Sequence, residues 1–201
     1  MVENSNQLNI SKKNIHPSKS PPPSGELEGD ARPSKSPPPS GELEGELIPI
    51  LSTVSDPEIP VLSILDLGIV RSAKLENGIA KIKITPTYSG CPAMDVIGDD
   101  IKSALKNKGY DSEVELILHP AWTTDWISEK GKKALEAYGV AAPLEATADK
   151  EALLGNKKLV KCTNCGSKNT KLVSQFGSTA CKAQFQCEDC QEPFDYFKCL
   201  K

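Results

Sequence analysis

The chain has 201 residues, of which 38% are hydrophobic and 5% aromatic, and a formal net charge of −3. No apolar run approaches the ~20 residues that a membrane span needs, and the first residues lack the basic-then-apolar pattern of a secretory signal. Seven cysteines, an odd number, in such a chain point to a reducing compartment and to metal rather than disulfides. A cytoplasmic location is therefore expected. The charge is uneven: residues 157–201 hold eight lysines against four acids, and the rest of the chain is net acidic. Four thiolates on one zinc ion leave that basic segment near about +2, too weak to predict a nucleic-acid partner.

Residues 1–45 do not read as folded. The thirteen residues Pro17–Gly29 recur unchanged as Pro33–Gly45. Text of Pro, Ser, Gly and Glu has little apolar surface to bury and cannot offset the entropy of ordering. Its proline triplets favour extended polyproline II, which suits a docking element. A tether, or an upstream repeat translated from a misassigned start, accounts for it as well.

Residues 46–142 carry the main domain. Leu47, Ile50, Leu51 and Val54 recur at helical spacing. Asp56-Pro-Glu-Ile-Pro60 ends that helix in a rigid turn. Asp66-Leu-Gly-Ile-Val70 leads into a strand, and Asn77-Gly78 predicts a two-residue hairpin. The return strand alternates Ala80, Ile82 and Ile84 with Lys81 and Lys83, giving one buried and one wet face. Gly90-Cys-Pro92 opens a second helix, with Met94, Ile97, Ile101 and Leu105 inward and Gly109 past its end. Val114, Leu116 and Leu118 alternate as a third strand. Thr124 or Asp125 is expected to cap a third helix that buries Ile127, Ala134, Leu135 and Tyr138 and ends at Gly139. The fold class is α/β: a small mixed sheet with helices on one face.

A linker is expected over 143–157, and a zinc ribbon over 158–201. Cys162-Thr-Asn-Cys165 and Cys187-Glu-Asp-Cys190 stand 21 residues apart. Each CxxC puts two thiolates on one tight turn, and two such turns complete a tetrahedral site. About 45 residues hardly bury a sufficient core without a staple. The expected metal ligands are Cys162, Cys165, Cys187 and Cys190, with zinc as the ion. An iron–sulfur cluster takes the same four thiolates, and the sequence does not separate the two. Cys181 and Cys199 are surplus to that site; each either approaches a metal or is a buried thiol.

Cys91, just before Pro92, is the one cysteine outside the ribbon. At a helix start the free N–H groups and the dipole favour an anion and lower a thiol's pKa. Ligation of a metal or a transient cluster suits it better than covalent catalysis, since no His stands beside it in sequence. A small buried hydrophobe is the other reading. Asp56, Glu58 and Asp66 either assist metal handling at the same sheet end or shape turns. Trp122 and Trp126 share one loop, as an interface anchor or as a core staple. His119 reads as structural. No catalytic residue is predicted.

Asp56-Pro-Glu-Ile-Pro60, Asp66-Leu-Gly-Ile-Val70 and Ser89-Gly-Cys-Pro92 resemble the domain of iron–sulfur assembly proteins such as SufT and the front of Mrp-type carriers. That resemblance implies an α/β fold and cluster handling at Cys91. Pro120-Ala-Trp-Thr-Thr-Asp-Trp126, Phe176-Gly-Ser-Thr-Ala-Cys-Lys182 and Glu192-Pro-Phe-Asp-Tyr-Phe197 look like the PaaD (PaaJ) family, encoded with the multicomponent phenylacetyl-CoA epoxidase. The resemblance covers residues 46–201. It implies an accessory role in phenylacetate catabolism, without catalytic activity of its own, in maturing an iron–sulfur partner. The implied partners are the oxygenase and reductase components. The alternative it leaves is a structural or electron-relay subunit within the epoxidase complex. Neither di-iron carboxylate/histidine pairs nor a nucleotide-binding glycine motif occurs.

Overall fold

The structure, a computed structural model, describes residues 43–144, 151–154 and 159–198. Most of the repeat segment and Cys199 therefore lie outside the described residues.

The first part is a mixed α/β layer. Pro49 stands in the first turn of α1 (Ile48–Leu51), where its missing N–H costs nothing. Leu47 and Leu51 are fully buried beneath that turn. β1 (Val70–Glu76) and β2 (Ile79–Ile84) pair antiparallel, with Ala73 opposite Ile82 and Leu75 opposite Ala80. Asn77 and Gly78 both take positive φ, as a tight hairpin turn requires. α2 (Ala93–Lys106) then crosses over to β3 (Asp111–Leu116), which runs parallel to β2. The buried stripe of α2 is Met94, Ile97, Ile101 and Leu105, as its spacing predicts, and Gly98 joins it. On the wet face of the sheet Lys81 pairs with Glu76 at 3.3 Å and Lys83 with Glu115 at 3.0 Å. Such exposed pairs add little stability; they keep that face in water.

Three local expectations differ. The third strand ends at Leu116, before Leu118, and both leucines are about half exposed; β3 stands at the end of the β1-β2-β3 order and has a neighbour on one side only. The segment after β3 first makes a 3-10 turn (Thr124–Trp126), which Thr123 caps through the N–H of Asp125. α3 (Glu129–Tyr138) begins only after Ser128, whose Oγ accepts from Gly131 N at 2.9 Å. Ile127 and Leu135 are buried, but Tyr138 is 52% exposed. Gly139 closes α3 in the left-handed conformation, as expected.

The second part is a four-stranded sheet of order β4-β7-β6-β5. Its strands are β4 (Val140–Ala141), β5 (Thr170–Ser174), β6 (Lys182–Cys187) and β7 (Pro193–Phe197). Phe185, Phe194 and Tyr196 form its aromatic centre, with ring centroids 5.5 and 6.0 Å apart around Phe185. The parts interlock. β4 follows α3 directly yet runs parallel to β7 in the ribbon sheet. Phe197 and Cys181 are buried in the core of the first part, and Phe197 meets Trp122 edge-on at 6.0 Å. Leu144, Ala152 and Leu153, from the stretch expected as a linker, pack into the ribbon's core, and Tyr196 OH accepts from Leu144 N at 3.0 Å. At the other end, described structure starts before residue 46: Glu44 N donates to Ala73 O at 2.9 Å, and Glu44 Oε2 accepts from Leu75 N at 3.0 Å.

Candidate metal centre and the Cys91 crevice

The two knuckles meet. The sulfurs of Cys162, Cys165, Cys187 and Cys190 all lie within 4.8 Å of one another. The Cys162–Cys190 and Cys165–Cys187 separations are 3.7 and 3.6 Å. Metal–sulfur bonds of ~2.3 Å in a tetrahedron give sulfur–sulfur edges of ~3.8 Å, whereas a disulfide needs ~2.05 Å. The donor set therefore fits a single four-thiolate ion. A four-iron cluster holds its thiolates on separate corners and spreads them further.

Backbone geometry builds each turn. Gly166 N donates to Cys162 O at 2.9 Å with φ at +75°, and Cys162 N donates to Ser167 O at 2.9 Å. Gln191 takes φ of +64° at the same position after the second knuckle, a cost of ~1–2 kcal/mol for a side chain. Aligning CTNCG with CEDCQ would have shown that equivalence. The Asp189 carboxylate ties the knuckles together, accepting from Ser167 Oγ at 2.5 Å and Asn169 Nδ2 at 2.6 Å. The N–H groups of Cys190 and Asp189 hold the Cys187 thiol down to about 7, whereas at Cys165 the lowering N–H of Ser167 is outweighed by the Cys190 thiol, burial and the other sulfurs, which push it up to about 12; the paired sulfurs share protons that a metal displaces.

Cys91 sits elsewhere, half-buried at the start of α2. Its pKa runs opposite to the sequence expectation. Burial raises it, and the charges of Glu58 and Asp56 add to that against the lowering N–H of Ala93 and hydroxyl of Thr87. The start of α2 does favour the thiolate through the Ala93 N–H, but burial and then the neighbouring carboxylates outweigh it. Asp56 and Glu58 do face this end. The Asp56 carboxylate accepts from Glu58 N at 2.8 Å and Ile59 N at 2.9 Å, which shapes the turn, and burial raises its pKa. Tyr88 borders the same crevice, its phenol pushed up to about 12 by burial and by Cys91, Glu58 and Cys181. Cys181 arrives from the ribbon, donating to Glu58 Oε2 at 3.5 Å and lying 3.0 Å from Thr179 Oγ1.

Asp66 belongs to none of this. It accepts from Ser63 Oγ at 2.8 Å and Ser128 Oγ at 2.7 Å, and pairs with Lys130 at 3.2 Å, so it joins the loop to the start of α3. Burial opposes its charge, but those donors together lower its pKa. Trp122 is a core staple: buried, with Nε1 donating to Leu67 O at 3.0 Å. Trp126 lies under the Arg71 guanidinium, 3.8 Å from the ring centre. His119 is exposed.

An α/β domain with a thiol at a helix start, interlocked with a ribbon whose four cysteine sulfurs could hold a metal ion, defines a thiol-rich metal-binding module. Two family models match it: "Iron-sulfur cluster assembly protein" over residues 46–116 and "PaaD zinc beta ribbon domain" over 146–198. The chain is 46% identical over 152 residues to a subunit of the "Putative 1,2-phenylacetyl-CoA epoxidase" of Escherichia coli K12, covering 75% of this chain and 90% of that protein. It belongs to the PaaD family. It is also 39% identical to "Fe-S protein maturation auxiliary factor YitW" of Bacillus subtilis, covering 42% of this chain and 85% of that one. A solved DUF59 domain from Bacillus anthracis is 32% identical with a TM-score of 0.43, covering 46% of this chain and 90% of that one. No helix among the described residues is long and apolar enough to cross a membrane.

Proposed function

We propose that this protein is an accessory factor that handles an iron–sulfur cluster for a phenylacetyl-CoA epoxidase, with Cys91 as the working thiolate and zinc as the structural ion of the ribbon. The likeness to the Escherichia coli epoxidase component, over nearly all of that protein, supports the system. The likeness of the first domain alone to maturation factors supports the chemistry. The observation that carries the reading is the place of Cys91, a half-buried thiol at the start of α2 in the field of the Glu58 and Asp56 carboxylates, apart from the four sulfurs of the ribbon. The epoxidase oxygenase and reductase components are the partners, and the reductase cluster is the target. Zinc suits the ribbon because it is redox-inert and takes four thiolates tetrahedrally.

Cys91→Ser tests this in cells that grow on phenylacetate. The variant is expected to accumulate as wild type does, since the change in volume is small. Epoxidase subunits are present, phenylacetyl-CoA turnover is lost, and the purified reductase lacks its cluster. Normal growth of the variant rules out the thiolate role. A fully clustered reductase with turnover still lost points to a subunit working inside the catalytic complex.

A further inference from the structure

The three-stranded sheet has two edges, and they are finished differently. The chain covers the outer side of β1 itself: Leu43 bridges Ala73, Glu44 N donates to Ala73 O at 2.9 Å, and the Glu44 carboxylate accepts from Leu75 N at 3.0 Å. Among the described residues nothing pairs with the outer side of β3. An open strand edge is a row of unpaired N–H and C=O groups, ready to template another strand. Beside it runs a groove of about 330 Å³ between α2 and β3. Met94, Val114 and Leu116 line it, with Gly98 and the exposed Asp95 and Asp99. Gly98 belongs to the buried stripe of α2, yet apart from its own stretch of helix nothing lies within 4 Å of where its Cβ would stand. A glycine weakens a helix relative to alanine, and no crowding inside this chain calls for one there. Leu116 is 51% exposed over the same groove.

We propose that the outer edge of β3 and the groove beside it form a docking surface for an extended segment of a partner protein that alternates apolar and basic side chains. Main-chain bonds to β3 would hold such a segment, and its alternate side chains would divide between the two faces. β3 sets both preferences. Val114 and Leu116 stand opposite the buried Ile82 and Ile84, on the α2 side. Asp111, Glu113 and Glu115 occupy the wet side. Apolar side chains of the segment therefore enter the groove over Gly98, and basic ones lie beside Glu113 and Glu115. Lys81 and Lys83 reach those two acids at 3.9 and 3.0 Å, but from β2, so the outermost row of the sheet is acidic. On the helix side Lys102 pairs with Asp99 at 3.3 Å, while Asp95 has no ion pair among the described residues. A second copy of this chain is a poor occupant. Antiparallel pairing of two β3 strands would set their acids opposite one another, which is destabilising. The surface itself rests on backbone, groove and charge alone. Its use in cargo transfer rests on the reading of Cys91: Met94 N donates to Cys91 O at 3.4 Å, so a partner seated here lies one turn of α2 from that thiol.

The test uses the full chain with its ribbon metal-loaded and a labelled peptide of alternating Val and Lys, read by fluorescence anisotropy. A peptide of alternating Val and Glu is the control, and gel filtration reports self-association. The Val-Lys peptide is expected to bind the wild type at least tenfold more tightly than the Val-Glu peptide. Gly98→Leu fills the groove and should weaken Val-Lys binding tenfold or more. Its melting temperature should be no lower than that of the wild type, because the site is open and leucine is the better helix former. If that variant does not fold, Glu113→Lys with Glu115→Lys serves: Val-Lys binding falls and Val-Glu binding rises. Cys91→Ser should bind the Val-Lys peptide as the wild type does. Normal growth of Cys91→Ser cells on phenylacetate would therefore sink the thiolate role and leave this surface standing. Absence of Val-Lys binding by the wild type, equal binding of the two peptides, or binding that Gly98→Leu leaves unchanged overturns the surface. A dimer of the wild type that Gly98→Leu dissociates overturns the choice of occupant in favour of a second copy.

Discussion

Gly68 of the Asp-Leu-Gly motif tests how the first domain is closed. Its φ is +74°, and a Cβ there would lie 2.3 Å from Trp126 O and 2.8 Å from Trp126 C. That obstacle is backbone, not the movable end of a side chain. Gly68→Ala therefore carries two costs. The left-handed backbone costs ~1–2 kcal/mol once a Cβ is present. The clash must then push the Trp126 turn away from the loop, and the neighbouring Trp122 Nε1–Leu67 O bond is at risk. Leaving a buried donor unsatisfied costs ~1–3 kcal/mol. The expected sum is about 2–5 kcal/mol. Gly78 supplies the control. Its φ is +82°, but nothing lies within 4 Å of a Cβ there, so Gly78→Ala carries the conformational cost alone. Urea unfolding of metal-loaded protein, followed by Trp fluorescence, reads both. Gly68→Ala should be less stable than Gly78→Ala by at least ~1 kcal/mol. Equal losses would refute the packing argument and leave only the backbone one.

Asp66→Asn should destabilise by about 1–3 kcal/mol at neutral pH, because the variant loses the charge-assisted bonds to Ser63, Ser128 and Lys130. The folded pKa of Asp66 is lowered, so its contribution is full above the unfolded value near ~4 and disappears as pH falls through the folded value. The stability gap between variant and wild type, measured by denaturation from pH 7 downwards, should close only in that acid window. Stripping the ribbon's metal with a strong chelator should melt the knuckles, since binding energy there is folding energy. It should also shift Trp122 emission to the red as Phe197 lets go; unchanged circular dichroism and emission would refute a structural metal. A chain beginning at Leu43 should keep the melting temperature of the full chain. One beginning at Glu46 should lose about 1–3 kcal/mol with the two bonds that the Glu44 N–H and carboxylate make to the β1 backbone.

Local chemistry was legible in the sequence wherever one segment decides its own structure. The Asn77-Gly78 turn, the α2 stripe and the Gly139 cap each depend on neighbours within a few residues, and backbone sterics and periodicity write those directly. The CxxC pairs named four donors before any geometry, because a two-residue gap already fixes two sulfurs on one turn. Longer reach failed the same reasoning. The exposure of Leu116 goes with the edge position of β3, which alternation alone does not reveal. The start of α3 at Glu129 is set by Ser128, which serves both as cap and as partner of Asp66, 62 residues away. The direction of the Cys91 shift was lost because the helix start is written in its own segment, while the burial that raises the thiol most, and then the charges of Glu58 and Asp56, come from others. Cys181 stood in the sequence as a spare thiol. Only the pairing of β4 with β7 and the seating of Phe197 against Trp122 carry it to Glu58, since the electrostatics of a crevice depend on every wall that encloses it.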